Sequence, residues 1–394
     1  MADPFLKRYL MTAGPTPLPP AVSEAMAQPM VYHRAPDFIE VYARVLARLE
    51  EVFQTRGDVL MFAGSGTGAM ESAVANLVRA GEPALVASCG KFGERWAELC
   101  DAYGARTRHW ETEWGRKVDA AELDRRLAES NGVEVVFTTF SETSTGVVND
   151  IRELTRVCHR HGALIVVDAV SGLGAVSLPQ DDWGVDVVVA GSQKALMAPP
   201  GLAFASANGA ALERASAAPG RRYYFDWQRT LEGQRKDPPD SPFTPAVGLV
   251  QALDVALGMI VDEGLEEVFE RHRILGRATR RAARALDLEV LGGEDDNSNV
   301  VTAIRLPDSI DGALVPKLMR DRFGVTIAGG QGRLKGKIAR IAHCGYFGAH
   351  DIVVTMAAFE MTLRELGHET ELGAGVAAAQ RVFVEAGVPV AQPA

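Results

Sequence analysis

Lys194 stands in Val187–Gly201, VVVAGSQKALMAPPG, where an apolar β-branched run ends at Gly191 and delivers one lysine into a loop closed by Pro199 and Pro200. A Val-rich run without alternation reads as a strand buried on both faces, as in a parallel sheet. Lys194 is then expected at the strand's carboxyl end, where open α/β sheets bind ligands. Desolvation penalises an ammonium and lowers its pKa, which suits a lysine that captures a carbonyl. The plain alternative is a loop lysine facing water. A second buried-strand run, Ala163–Val167, ends in Asp168 and leads into the small residues Ala169–Ala175. By itself Asp168 reads equally as a loop cap. Together, a strand-end lysine and a strand-end carboxylate match what pyridoxal phosphate requires, one holding the aldehyde and one keeping the pyridine nitrogen protonated.

A third feature is Asp58–Gly68, DVLMFAGSGTG, an apolar run entering glycines ahead of a helix-like stretch from Ala69 to Arg79. Glycines let backbone N–H groups approach an anion, a helix amino-terminus adds a favourable dipole, and Ser65 and Thr67 add hydroxyls. The segment is a plausible phosphate seat, but it lacks the Gly-Lys-Ser/Thr ending of a nucleotide P-loop, and its glycines are not spaced as a dinucleotide fingerprint. An unliganded glycine turn is as common, so the argument rests on the three features together.

These residues, with Ala13–Pro17 (AGPTP), Val52–Thr55 (VFQT), Glu142–Gly146 (ETSTG), Val167–Val170 (VDAV), Gly191–Lys194 (GSQK), Ala198–Gly201 (APPG), Phe243–Pro245 (FTP) and Arg340–His343 (RIAH), resemble the class V aminotransferases of pyridoxal-phosphate fold type I. The likeness covers nearly the whole chain and points to the alanine–glyoxylate and serine–pyruvate branch. It implies an α/β fold: a large domain with a mostly parallel, seven-stranded sheet between helices, and a smaller carboxyl-terminal α/β domain. Lys194 would be the Schiff-base lysine and Asp168 the partner of the pyridine nitrogen. Ser65, Gly66 and Thr67 would hold the phosphate, helped by Gln193 and, across a homodimer interface, by Thr244 of the other subunit. Phe92 falls where many relatives place a tryptophan over the cofactor; its smaller face still permits stacking. Thr143 matches a position that contacts the ring or its phenolic oxygen, and Val170 completes the cofactor set. Without the resemblance, Phe92 reads as core and Thr143 as an ST-turn residue.

Arg340 would bind the substrate's α-carboxylate, a task suited to the planar guanidinium fork; alone it reads as a solvated arginine on a strand. His33–Arg34 resembles a segment with which phosphoserine aminotransferases bind a phosphate, yet the pair also occurs in the alanine, serine and ureidoglycine branches. His343–Cys344 replaces a frequent His-Met. The implied reaction is ping-pong transfer of an amino group from alanine or serine to glyoxylate or pyruvate. Alternatives are a phosphoserine or ureidoglycine aminotransferase, a lyase or desulfurase on the same fold, or a nucleotide-binding protein using Gly64–Gly68. A desulfurase needs a cysteine ahead of the carboxylate-binding arginine, and Ile310–Ala339 contains none.

The elements that must position these groups alternate along the chain. Pro36–Phe53 carries an apolar stripe at helical spacing. Strand-like runs follow at Ala84–Ala87, Glu134–Thr138, Ala163–Val167 and Asp186–Val189, an alternation that implies a largely parallel sheet covered by helices. Helices are expected over Val247–Val261 and about Leu265–Leu286. Beyond them come strands near Asn299–Arg305 and Lys337–Ala342, then helices near Asp351–Leu366 and Glu371–Ala386. The expected domains are 13–260 and 261–394, with the first dozen residues docking on the second. A formal net charge of −10 argues against nucleic-acid affinity, and the basic cluster Arg271–Arg281 reads as a solvated helix face. Cys89, Cys100, Cys158 and Cys344 lack metal-ligand spacing, so no metal is expected, and they suit a reducing compartment. His159 and His161 read as helix-end residues. With no signal-like or membrane-spanning segment, the expectation is a cytoplasmic protein with small-molecule partners and no membrane partner.

Overall fold

The computed structural model describes residues 6–217, 222–293 and 297–387. Residues 1–5 of the expected docking segment and 388–394 of the carboxyl-terminal portion lie outside the described residues. Strands β1 (Val59–Gly64), β2 (Pro83–Ser88), β3 (Arg106–Glu111), β4 (Val135–Thr139), β5 (Leu164–Asp168), β6 (Val187–Gly191) and β7 (Gly201–Ala207) form one sheet in the order β1-β7-β6-β5-β4-β2-β3. From β3 to β6 the neighbours pair parallel, whereas β7 runs antiparallel to both β1 and β6.

Helices α1 (Pro36–Phe53), α2 (Gly66–Leu77), α3 (Lys91–Ala102) and α4 (Val247–Glu263) cover the sheet. Val136, Ile165, Val167 and Val188 pack on one face against α1 and α4. The residues between them, Val135, Phe137, Val166, Val187 and Val189, pack on the other against α2 and α3. Both faces are dry, which is why the central strands are apolar at every position rather than at alternate ones. Each such valine contributes roughly 1.5–3 kcal/mol of burial, and the strand ends are correspondingly rigid platforms.

A smaller carboxyl-terminal domain follows, built from α5 (Leu265–Arg284), β8 (Val301–Arg305), β9 (Ala328–Gly329), β10 (Ile338–Ala342), α6 (Ala349–Glu365) and α7 (Ala374–Glu385). Its antiparallel sheet has the order β8-β10-β9, which sets Arg340 in the central strand opposite Ala303 and Ala328. Tyr9–Leu10 pairs parallel with Val325–Thr326, and Met11 and Ala13 join the core of this domain. The amino-terminal segment thereby spans from this core to the loop after β6.

Two strands of the large sheet escaped the sequence reading. β7, GLAFASA, is made largely of alanine, serine and glycine, which have little intrinsic strand preference; the sheet inserts it where small side chains fit. β3, RTRHWE, is a charged edge strand in which only Trp110 is buried. Helix α2 begins at Gly66, not Ala69, and ends at Leu77, so Ser65 becomes its N-cap.

Candidate active site

β1 and β6 run in the same direction because each is antiparallel to β7. The carboxyl ends of β1, β2, β4, β5 and β6 therefore share one edge of the sheet. Ser65 follows β1, Phe92 lies in the first turn of α3 after β2, Thr143 follows β4, Asp168 ends β5, and Lys194 lies just past β6. Two-sided burial of β4, β5 and β6 carries Thr143, Asp168 and Lys194 buried to that edge, whereas Ser65, past the exposed end of β1, is open to solvent.

Lys194 is 8% exposed, which removes the solvated alternative. Its Nζ donates to the main-chain oxygen of Ala13 and stands 5.9 Å from the centroid of Phe92. A Cβ on Gly14 would collide with the lysine's Cδ and Cε, so the amino-terminal segment closes over the ammonium because that position lacks a side chain. Burial lowers the lysine's pKa, opposed by the fields of Cys344 and Asp168. Asp168 Oδ1 accepts from the Val170 N–H at 2.9 Å. Burial pushes its carboxyl up to about 6, against the pull of that backbone bond. A buried carboxylate with so little neutralisation is suited to a cationic partner.

Arg340 is 6% exposed, so it too is not a solvated surface arginine. Its Nε donates to Gly329 O at 2.8 Å and its Nη1 to Thr143 O at 2.8 Å, which ties the smaller domain to the loop after β4. Both acceptors are uncharged carbonyls, and burial lowers the guanidinium's pKa. The fork is thus oriented, and among the described residues no contacting carboxylate neutralises it.

The glycine-rich turn expected to seat an anion has a tight wall. A Cβ on Gly66 would stand 2.8 Å from Val170 Cγ2, and one on Gly191 would stand 3.3 Å from Gly66 Cα. Ser65 makes no side-chain capping bond to α2. Gln193 Oε1 is buried without a hydrogen-bond partner; rotation of the amide would offer two N–H donors at the same place.

Sequence reasoning missed three contributors. Glu142 is fully buried, and its carboxylate accepts from the N–H groups of Phe92 and Gly93, each at 3.0 Å, and from Ser144 N and Oγ at 3.0 and 2.6 Å. It fastens the start of α3, and with it Phe92, to the loop after β4. Arg95 lies over the Phe92 ring and bonds Thr67. The third is the Ala13 carbonyl. Arg95 had a local signal, since a residue three positions after Phe92 shares its helical face; Glu142 and Ala13 had none outside the quoted motifs.

His33, Arg34 and Thr244 make no hydrogen bond, ion pair or ring contact to Lys194, Asp168 or Arg340 of their own chain among the described residues. Thr244 lines a cleft with Met61, Phe62, Ala63 and Tyr224, and His33 lines another with Pro239, Asp240, Ser241 and Pro245. The expected bland residues are where the sequence put them: His159 and His161 end a helix, paired with Asp186 and Asp124, and the four thiols are buried.

A buried lysine that feels the field of an oriented arginine, beside the glycine-rich helix start expected to seat an anion, is equipped for carbonyl chemistry on a carboxylate-bearing molecule, the work of an enzyme that moves amino groups. The family profile described as Aminotransferase class-V matches residues 8–341, and the chain belongs to that family of pyridoxal-phosphate-dependent transaminases. It is 43% identical to a protein named soluble hydrogenase, small subunit, of Synechococcus, over 96% of this chain and 98% of that one. It is 35% identical to the L-aspartate–glyoxylate aminotransferase of Paracoccus denitrificans, over 94% of each chain. Identity to the serine–glyoxylate aminotransferase of Methylorubrum extorquens is 34%, over 96% of each. Among solved structures, the ureidoglycine–glyoxylate aminotransferase of Bacillus subtilis superposes with a TM-score of 0.91 at 29% identity, over 98% of this chain and 99% of that one.

Proposed function

We propose that this chain transfers the amino group of a small amino acid, alanine or serine, to glyoxylate or pyruvate by a ping-pong reaction, with pyridoxal 5′-phosphate as its cofactor. The observation that carries the reading is Lys194, buried, lowered in pKa and facing Phe92, with a main-chain carbonyl as its hydrogen-bond acceptor. The residues fit the group: among the described residues Asp168 has no contacting cation, the Gly66–Val170 wall leaves no room for a further side chain, and Gln193 has an unsatisfied amide oxygen. When bound, the cofactor supplies an electron sink for the charge left on the substrate's Cα.

In this reading Lys194 Nζ would hold the cofactor by its aldehyde, and the same amine is placed to take a proton from the substrate's Cα as general base and return it as general acid. Asp168 keeps the pyridine nitrogen protonated. Ser65, Gly66, Thr67 and Gln193 would hold the phosphate, and Val170, Thr143 and Phe92 would hold the ring. Arg340, already aimed by Gly329 and Thr143, takes the α-carboxylate. Residues 13–260 then carry the cofactor and 261–394 supply the carboxylate-binding arginine. Glyoxylate is the acceptor in the names of the Paracoccus, Methylorubrum and Bacillus proteins, which supports it here; their donors differ.

The site is completed by a second copy of the chain. Around Thr244 the surface is aromatic and open: Tyr223 is 67% exposed, Tyr224 41% and Tyr32 61%. Phe243 stacks on Tyr224 at 4.8 Å. Such a patch supports a protein interface, and it is how Thr244, His33 and Arg34 would reach a partner's cofactor and substrate. Buried free thiols, and the absence among the described residues of a helix long and apolar enough to cross a membrane, support a cytoplasmic location.

The test mixes the cofactor-loaded protein with single amino acids and follows loss of the visible lysine–cofactor band. Alanine or serine is expected to bleach it, and glyoxylate or pyruvate to restore it. Phosphoserine or ureidoglycine reacting far faster would overturn the donor assignment, and a Lys194→Ala protein that turns over at the parent rate would overturn the whole reading.

A further inference from the structure

Arg95 belongs to α3, three residues beyond Phe92. Its guanidinium carbon stands 5.1 Å from the Phe92 centroid, and its Nη1 donates to Thr67 Oγ1 at 3.2 Å. The side chain is half-buried. The nearer acids of the same helix are engaged elsewhere, Glu94 and Glu98 pairing with Lys91 and Glu94 also lying 4.0 Å from Arg333, and Asp101, six residues further on, is exposed. Among the described residues no carboxylate comes within ion-pair distance of Arg95. What it contacts is a ring face and a neutral hydroxyl.

That hydroxyl belongs to the first turn of α2, the same turn whose N-cap, Ser65, makes no side-chain cap. Because Thr67 Oγ1 accepts from Arg95, its own proton must point elsewhere, and the N–H groups opening α2 lie beside it. Those groups and hydroxyls are dipoles. A phosphate monoester carries about 1.5–2 negative charges at neutral pH, while a helix amino-terminus offers roughly half a positive charge. The seat as first described is therefore under-compensated. A guanidinium without a contacting carboxylate, tethered to the seat's own threonine, supplies the missing charge, and its planar fork retains donors that Thr67 does not use. The ring beneath it is the one expected to cover the cofactor, so a single side chain braces the stacking residue and faces the anion.

We propose that Arg95 binds the cofactor's 5′-phosphate, neutralising it through the guanidinium and orienting Thr67 toward it. The assignment rests on the pyridoxal-phosphate reading above. It differs from the alternative chemistry open to such a cation, recognition of a second carboxylate on the substrate, because the tether is to the phosphate turn.

The experiment compares two aldehydes on the cofactor-free protein, pyridoxal 5′-phosphate and pyridoxal, each titrated by the visible band of its lysine adduct. For Arg95→Met the phosphorylated aldehyde is expected to bind about tenfold or more weakly, the loss of a charge-assisted hydrogen bond, while pyridoxal changes less than about twofold. Inorganic phosphate should compete with the phosphorylated aldehyde on the parent protein and lose that competition in the variant. Arg95→Lys, keeping charge without the fork, should fall between. Equal weakening of both aldehydes would mean a merely structural role and overturn the proposal. So would unchanged phosphate discrimination with a raised KM for dicarboxylic acceptors alone. If the parent protein forms no lysine adduct with either aldehyde, the cofactor reading itself fails, and this assignment with it.

Discussion

Asp168 carries its carboxyl at about 6 because burial outweighs the backbone hydrogen bond from Val170. In the cofactor-free protein the folded state therefore keeps a proton over a window, from the ordinary 3.8 up to about 6, in which the unfolded chain has lost it. The folded state binds more protons there, so stability falls as pH rises through that window. The loss sums to about 3 kcal/mol at most. Chemical denaturation of parent and Asp168→Asn proteins without cofactor should show this directly: the parent-minus-variant stability declines by that amount between about pH 4 and pH 7, and a flat difference would refute the burial argument. In the loaded enzyme the same substitution should lower kcat roughly 10²–10³-fold, the range for removing one preorganised electrostatic partner, with a smaller effect on cofactor affinity. Arg340 belongs to the same scale. Arg340→Lys keeps a positive charge but loses the fork that Gly329 and Thr143 orient, so KM for both amino and keto acid should rise about tenfold or more, measurable in each half-reaction separately.

The elements matter through how closely they approach one another, and Gly66 is the sharpest case. As the first residue of α2 it has an ordinary backbone conformation, and alanine there would gain up to about 1 kcal/mol of helix propensity. The gain loses to geometry: the new methyl would stand 2.8 and 2.9 Å from the two γ-carbons of Val170, a β-branched side chain with one preferred rotamer. Gly66→Ala should therefore cost about 1–3 kcal/mol, and most of that cost should vanish in a Val170→Ala background, a coupling that a double-mutant cycle by denaturation would measure. Lys194 and Asp168 were legible because an unbroken β-branched run has to end somewhere, and a charged residue at its end lies on the ligand-binding edge. β7 was not, since GLAFASA is held in the sheet by its neighbours rather than by its own preference. Nor was Glu142, whose hydrogen bonds from Phe92 and Gly93 join segments about fifty residues apart, a juxtaposition that no local spacing encodes.

At the scale of the whole molecule, the arrangement leaves Thr244, His33 and Arg34 on an open aromatic surface while the groups they are expected to serve lie at the sheet edge. The proposed dimer would resolve this: two copies related by a two-fold axis would each supply these residues to the other's site and bury Tyr223, Tyr224 and Phe243 in doing so. A mixed dimer tests it by logic rather than by size measurement. Pairing a Lys194→Ala subunit with a Thr244→Ala subunit gives one site lacking both residues and one lacking neither, if Thr244 acts on its partner. Each variant alone should be impaired, Lys194→Ala completely, and the co-expressed hybrid, purified through two different tags, should regain about half of the parent's activity per dimer, as expected when one of two symmetric sites is whole. Were Thr244 to act within its own chain, the hybrid would contain no intact site beyond what the Thr244→Ala subunit already provides, and its activity could not exceed half of that variant's own.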